Sequence, residues 1–114
     1  MEIDVRTQDQ VKIVKLRGKL NLGPSLDRTN ETLKDLVNAG ESRFLLDLQE
    51  VPMIDSSGIG ILVKAMASAK QRGGGVKLVS PSKFVVQTLK LIGVLNLFEI
   101  FESENDAVQS FNSR

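Results

Sequence analysis

Two neighbouring serines, Ser56 and Ser57, offer the clearest opportunity for chemistry in this chain. They follow Asp55 and precede Gly58, between a short apolar run and a stretch with helical periodicity. Asp is a preferred N-cap residue, so the pattern predicts a helix that begins here. The free N–H groups at a helix N-terminus and the helix dipole both favour a phosphate. The motif therefore indicates either a plain helix cap or a serine that accepts a phosphate.

Two glycines near the start of this predicted helix, Gly58 and Gly60, are costly for local stability. Each costs about 0.5–1 kcal/mol relative to Ala, which suggests that something requires a bare backbone there. Close approach of a partner and tight packing against the sheet both remain open as reasons. The glycines match neither the dinucleotide nor the P-loop fingerprint, so no directly bound nucleotide is predicted. The run Gly73–Gly75 lies between a predicted helix and a predicted strand, and we interpret it as a flexible connector.

The residue types that are missing exclude several classes of enzyme. The chain contains no His, Cys, Trp or Tyr, which rules out a serine activated by histidine, a thiolate nucleophile and the usual zinc ligand sets. Asp47 and Asp55 could form a carboxylate pair, but Asp47 lies within a predicted strand and needs a local partner, while Asp55 already has a capping role. We therefore expect no catalytic residue, no metal and no cofactor, and a protein that is not an enzyme.

Composition and charge describe a small globular domain. The 114 residues are 41% hydrophobic and 25% charged, which suits one domain over residues 1–114. The net charge is +1 and the basic residues are scattered, so nucleic acid is not an expected partner. No apolar stretch approaches the length of a membrane span, and the first residues do not resemble a signal segment. We expect a cytoplasmic protein without membrane insertion.

The hydrophobic pattern predicts the element order β-β-α-β-α-β-α-β-α. Apolar alternation on both sides of Thr7–Gln10 indicates an opening hairpin. The further strands are predicted at Phe44–Leu48, Val76–Val79 and Phe98–Phe101, and the helices between Pro24 and Gly40, from Asp55 to Gly73, from Ser82 to Gly93 and after Ser103. Strands that alternate with helices require crossovers, so the expected fold class is α/β with a mixed, mostly parallel sheet.

Several segments together closely resemble STAS domains, and among them the bacterial anti-sigma factor antagonists. The resemblance covers nearly the whole chain and rests on Gly18–Leu20, Phe44–Leu48, Ile54–Gly60, Leu91–Val94 and Phe98–Phe101. It implies a single domain of the STAS type, with about four helices packed mainly on one face of the sheet. It also implies that the serine directly after the aspartate accepts a phosphate.

The phosphate acceptor implied by this resemblance is Ser56, with Ser57 as its neighbour. The unphosphorylated protein would bind an anti-sigma factor that is also a serine kinase, and so release a sigma factor. Phosphorylation of Ser56 would end that binding, and a PP2C-type protein phosphatase would restore it. The resemblance also fits STAS scaffolds of the stressosome type and subunits of lipid-transport complexes, neither of which needs this switch.

The residues around Ser56 have supporting roles in this interpretation. Asp55 caps the helix and orients the serine, while Gly58 and Gly60 let the partner come close. Ile59 and Met53 could add apolar contact area, although the apolar stripe of the helix favours core packing for Ile59. Asn21 stands where family members often have aspartate, in the loop that approaches the phosphorylation site, so we expect it to modify the switch.

Overall fold

The opening segment forms the predicted hairpin. In a computed structural model that describes residues 2–112, β1 (Glu2–Gln8) pairs antiparallel with β2 (Val11–Arg17). Asp9 and Gln10 connect the strands with φ angles of 51° and 69°. Two consecutive left-handed residues are the signature of a type I′ turn, whose twist matches that of a hairpin.

The remaining strands extend the sheet in parallel. The strand order is β1-β2-β3-β4-β5, and only the β1–β2 pair is antiparallel. The other elements are α1 (Pro24–Asn38), β3 (Arg43–Glu50), α2 (Ser56–Gln71), β4 (Gly75–Val79), α3 (Lys83–Ile92), β5 (Ile100–Phe101) and α4 (Glu104–Asn112). The prediction of a mixed, mostly parallel α/β sheet is confirmed. One difference is a turn of 3₁₀ helix at Leu95–Leu97, which leaves the last strand with two residues.

Helices cover the two faces of the sheet unequally. Helices α1, α2 and α3 pack on one face, where Leu33, Leu62 and Leu89 join strand residues such as Leu46 in the larger core. Helix α4 lies on the other face, and its Ala107 and Val108 pack against Val11, Ile13, Leu45 and Val79. The implied packing, mainly on one face, is therefore confirmed, with α4 as the exception.

Short polar contacts fix the start of α3 and the end of α2. Ser82 Oγ accepts a hydrogen bond from the N–H of Val85, which confirms the predicted cap of α3. At the end of α2, the N–H of Gly73 bonds to the Lys70 carbonyl and that of Gly74 to the Ala69 carbonyl, with Gly73 at a φ of +84°. This is a Schellman motif. The flexible connector predicted at Gly73–Gly75 is therefore wrong, because Gly73 and Gly74 form a hydrogen-bonded turn and Gly75 begins β4.

The parallel strands place the starts of α2 and α3 at one end of the sheet, which we call the carboxyl edge. Just before β3 reaches this edge, its pairing with β2 shifts register between Lys15 and Arg17. Asp47 Oδ1 accepts a hydrogen bond of 3.0 Å from the N–H of Gln49, so the local partner expected for Asp47 is found. Within residues 2–112, no helix has both the length and the apolar character needed to cross a bilayer.

Candidate functional site

The N-terminus of α2 combines an exposed serine with a carboxylate that makes two hydrogen bonds. Ser56 is the first residue of the helix and is exposed, whereas Ser57 behind it is partly buried. Asp55 Oδ1 accepts a hydrogen bond of 2.9 Å from the N–H of Gly58, which confirms its capping role. Asp55 Oδ2 accepts a second bond, also of 2.9 Å, from the N–H of Leu22. One side chain thus joins the helix to a loop 33 residues earlier.

Residues 18–23, which we call the β2–α1 loop, lie along the segment that leads to Ser56. Leu20 forms an isolated parallel bridge with Ile54. Its N–H donates to the Met53 carbonyl at 3.1 Å, and its carbonyl accepts from the N–H of Asp55 at 3.4 Å. Asn21 therefore sits between two residues that contact Asp55. Its Oδ1 is buried and has no hydrogen-bond partner among residues 2–112.

The electrostatics of the site suit a serine that is acted upon. The hydrogen bonds from the Leu22 and Gly58 backbone amides lower the pKa of Asp55, so its carboxylate is ionised at neutral pH and its oxygens are occupied. Such a group is a poor general base for Ser56. Within the described part of the chain, no three His, Cys, Asp or Glu side chains converge on a possible metal position.

The two glycines of α2 have different surroundings. A Cβ added to Gly58 would lie 2.2 Å from the Leu20 carbonyl oxygen and 2.7 Å from Ile54 Cγ1. Tight packing against the β2–α1 loop therefore explains Gly58. A Cβ on Gly60 would have no neighbour within 4 Å among residues 2–112, and the residue is exposed. Packing within the fold does not explain Gly60.

Comparison with known proteins assigns this architecture to a family. The family model that matches, described as the STAS domain, covers residues 2–107. The chain belongs to the STAS domain family.

Relatives within the family share modest sequence identity over most of their length. A Thermotoga maritima protein, provisionally named an anti-sigma factor antagonist, is 27% identical over 101 residues, which is 89% of each chain. The anti-sigma-B factor antagonist of Bacillus subtilis is 24% identical over 96% of this chain and 98% of its own. A crystal structure of a Thermotoga maritima protein with the same provisional name has a TM-score of 0.91 at 25% identity, covering 97% of this chain and 95% of its own.

The STAS fold brings most of the predicted site residues together at the carboxyl edge. Asp55, Ser56 and Ser57 open α2, and the β2–α1 loop brings Asn21 beside them. Ile59 is only 3% exposed and belongs to the larger core, which confirms the core-packing interpretation. It therefore offers no contact area to a partner. Met53 is partly exposed.

Two apolar residues at the same edge were missed by the sequence analysis. Leu22 is 76% exposed in the β2–α1 loop, and Phe84 is 52% exposed in the first turn of α3. The signal for Leu22 was an apolar residue between Asn21 and Gly23, inside a loop that has no apolar periodicity. For Phe84, the signal was a large apolar side chain beside the cap of α3, off the stripe that Val85 and Leu89 define.

Proposed function

We propose that this STAS domain is an anti-sigma factor antagonist whose binding is switched by phosphorylation of Ser56. The observation that carries the proposal is the exposed hydroxyl of Ser56 at the first position of α2, beside a carboxylate that is fully engaged by backbone N–H groups. In its unphosphorylated form the domain binds an anti-sigma factor with serine kinase activity. A sigma factor is released as a result.

The proposed chemistry divides between this chain and its partners in the bacterial cytoplasm. The kinase supplies ATP and the catalytic groups, and this chain supplies the Ser56 oxygen that attacks the γ-phosphorus. The bond from the γ-phosphorus to the bridging oxygen breaks, ADP leaves, and the serine proton passes to the kinase or to solvent. A PP2C-type phosphatase hydrolyses the phosphoserine. The domain itself needs no cofactor, metal or nucleic acid for this role.

The exposed face of α2 supports close approach by a partner. Ser56, Gly60 and Lys64 follow one another at intervals of four residues and are all exposed, so they lie along one side of the helix. Gly60 has no side chain, which leaves the backbone accessible beside the serine. Leu22 and Phe84 are exposed at the same edge of the sheet. They add the apolar area that protein interfaces concentrate at their centres.

A phosphate on Ser56 affects the free domain and the complex differently. It adds about 1.5–2 negative charges at a helix N-terminus, where the dipole and the N–H groups favour an anion. The free fold can therefore accept the modification. In the complex, the same group must lose its water without gaining a cationic partner. A penalty of only about 3 kcal/mol weakens binding more than 100-fold.

The unpaired side-chain oxygen of Asn21 supports a role for this residue in binding the kinase. Its buried Oδ1 lacks a donor among residues 2–112, and an unpaired buried acceptor is usually costly. A donor from the bound kinase would satisfy it. Because Asn21 is neutral, it also adds no repulsion to a phosphate on Ser56, whereas an aspartate there would.

Phosphorylation by an anti-sigma kinase from the source bacterium tests the proposal. We expect ATP and kinase to add one phosphate to the wild type and to Ser57→Ala, and none to Ser56→Ala, as read by intact mass. Binding of Ser56→Asp to the kinase should be at least 100-fold weaker than that of the wild type. A phosphate that remained on Ser56→Ala, or equal binding by Ser56→Asp, would contradict the switch.

A constitutive STAS scaffold is the alternative, and one feature favours it. Leu91 is 87% exposed, and Ile92 and Leu97 are each 48% exposed, around the C-terminal end of α3 and the 3₁₀ turn. The phosphorylation site does not account for these residues. A scaffold would form the same complex with wild type, Ser56→Ala and Ser56→Asp. Co-purification from the native cell with each variant distinguishes the two functions.

A further inference from the structure

A cleft at the opposite end of the sheet from Ser56 gathers cations that the proposed switch does not use. Its volume is about 430 Å³, and Arg43 and Gly75, the first residues of β3 and β4, contribute to its lining. It thus opens at the end where the parallel strands begin, and we call it the amino-edge cleft. Its other walls come from the end of α2, the segment before β5 and the end of α4, and its principal lining side chains are Arg43, Met66, Lys70, Lys77, Phe98 and Phe111.

The three cations of the amino-edge cleft are differently engaged. Lys77 Nζ donates to Ser110 Oγ at 2.7 Å, lies 3.5 Å from Glu99 Oε1 and stands 4.3 Å from the centre of the Phe111 ring. Arg43 uses Nη1 to donate to Asn112 Oδ1 at 3.0 Å. Its Nε and Nη2 have no acceptor within residues 2–112, and Lys70 makes no ion pair or side-chain hydrogen bond there. Two cations therefore have donors that no residue of the described part of the chain uses.

The charge balance of the cleft is positive. Arg43, Lys70 and Lys77 contribute three positive charges, and Glu99 is the only carboxylate among the residues of 2–112 that line the cleft. The C-terminal ends of α2 and α4 add about half a negative charge each. About one positive charge remains. The side chain of Glu99 is 68% exposed and that of Lys77 only 13%, so the counter-charge lies at the mouth and the cation deeper inside.

The walls beside these cations are apolar. Met66, Leu97, Phe98 and Phe111 line the same cleft. An inorganic ion would leave the apolar walls uncovered, whereas an organic anion would contact both the cations and the apolar walls of the cleft. Apolar walls with a few polar groups are the usual make-up of small-molecule sites.

We propose that the amino-edge cleft binds a small organic anion, with its phosphate or carboxylate at Arg43 and Lys70 and its apolar body against Leu97 and Phe111. The cleft lies away from Ser56, and this site stands whether or not the serine is phosphorylated. Binding joins a ligand to elements from both faces of the sheet, because α2 and α4 both line the cleft.

A titration with 1-naphthyl phosphate, followed by ¹H–¹⁵N NMR on the full chain, tests this site. The amides of Gly73, Gly74 and Gly75 border the cleft and are the reporters. We expect them to shift in a saturable way, with a Kd on the order of 1 mM, as suits a ligand of this size. The uncharged probe 1-naphthol should bind at least tenfold more weakly.

Matched charge variants separate this site from general attraction to a basic surface. Lys70→Gln should weaken binding about two- to fivefold, as expected for an exposed ion pair. Arg43→Gln should weaken it about tenfold, because hydrogen bonds between ions are lost. Lys34→Gln, on the exposed side of α1, removes the same charge outside the cleft and should have no effect. Equal losses for Lys34→Gln and Lys70→Gln, equal affinity for 1-naphthol, or no saturable shift at Gly73–Gly75 would each overturn the proposal.

Discussion

At the scale of single residues, Asp55 links the proposed phosphorylation site to the rest of the fold. One carboxylate oxygen caps α2 through Gly58, and the other holds the β2–α1 loop through Leu22. Only an ionised carboxylate can accept both bonds in this way, because an amide side chain offers one acceptor and one donor group. The position thus needs Asp for the loop, although Asn would be an equally good cap.

Asp55→Asn is expected to separate these two roles. Its Oδ1 can still accept from Gly58, but its amide nitrogen would then face the N–H of Leu22, with two donors opposed. We expect the Leu22 amide to exchange with solvent at least tenfold faster, while the Gly58 amide keeps its protection. Hydrogen exchange measured by NMR reads both sites. Asp35→Asn, at an exposed position of α1, is the matched control. Equal protection of Leu22 in wild type and Asp55→Asn would show that the loop does not depend on the second bond.

The same carboxylate gives the domain a pH-dependent stability. The pKa of Asp55 is lowered in the folded state by the backbone amides of Leu22 and Gly58, and the pKa of Glu50 is lowered by Lys15 and Arg17. A lowered folded pKa stabilises the fold at pH values above the unfolded pKa, which is about 3.9 for Asp and about 4.3 for Glu. That stabilisation is lost as the pH falls through the folded pKa.

We therefore expect the free energy of unfolding to decrease as the pH falls below about 4. Asp55→Asn should destabilise the domain more at pH 7 than at about pH 2.5, because the stabilisation by the wild-type carboxylate decreases as the pH falls below the unfolded pKa of about 3.9. Urea unfolding at the two pH values measures the difference. A destabilisation of the same size at both would mean that the charge of Asp55 does not contribute.

At the scale of elements, the N-terminal half of α2 shows which features can be predicted from residues nearby in the sequence and which cannot. The cap, the start of the helix and the core packing of Ile59 follow from nearby residues, and all three were predicted. The bond from Leu22 to Asp55 was not, because it spans 33 residues and its donor is a backbone N–H with no side-chain signature. The packing of Gly58 against the Leu20 carbonyl has the same non-local origin.

Other elements show the same division between local and non-local information. The periodicity of α4 predicts an amphipathic helix but cannot specify which sheet face it covers, since both faces carry apolar strand residues. The segment Gly73–Gly75 was misinterpreted as flexible because the bonds of Gly73 and Gly74 to the end of α2, and that of Gly75 to Ser42, depend on the three-dimensional course of the chain.

Substitution of the two glycines of α2 by alanine is expected to change the stability of the domain in opposite directions. Gly58→Ala forces a Cβ against the Leu20 carbonyl and should destabilise the domain by about 1–3 kcal/mol, the usual cost of overpacking. Gly60→Ala meets no neighbour and should stabilise the helix by about 0.5–1 kcal/mol. Urea unfolding measures both. A neutral or stabilising effect of Gly58→Ala would show that the β2–α1 loop can move away from Gly58, and a destabilising effect of Gly60→Ala would contradict the open surroundings of Gly60.

In addition to stability, the affinity for the proposed kinase partner can be measured for Gly60→Ala. If the partner contacts the exposed backbone beside Ser56, Gly60→Ala should weaken binding although the free domain becomes more stable. Ala67→Ser is the control, because it also adds one side-chain atom on the exposed side of α2 but lies further from Ser56 than Gly60 does. Unchanged affinity for Gly60→Ala would place the interface elsewhere on the domain.

At the scale of the whole molecule, the two ends and the two faces of the sheet carry different features. Ser56 lies at the carboxyl edge, and the cationic cleft lies at the amino edge. Helix α4 covers part of the second face, and Arg17 forms ion pairs there with Glu2, Asp4 and Glu50. Exposed ion pairs contribute little stability. The stabilisation of that face therefore comes mainly from the apolar packing of α4 on the strands.

Removing buried volume under α4 should therefore destabilise the whole domain and leave the proposed phosphorylation site intact. Val108 is fully buried against strand residues from β2, β3 and β4. Val108→Ala deletes two methyl groups and leaves a cavity, which should cost about 2 kcal/mol. Because α4 packs directly on the central strands, we expect one cooperative urea transition with an unchanged m-value.

Leu91→Ala, at a position that is 87% exposed, is the control and should change stability by less than about 0.5 kcal/mol. Ser56 in Val108→Ala should accept phosphate at the wild-type rate below the transition. A separate early transition for Val108→Ala would show instead that α4 unfolds independently of the sheet.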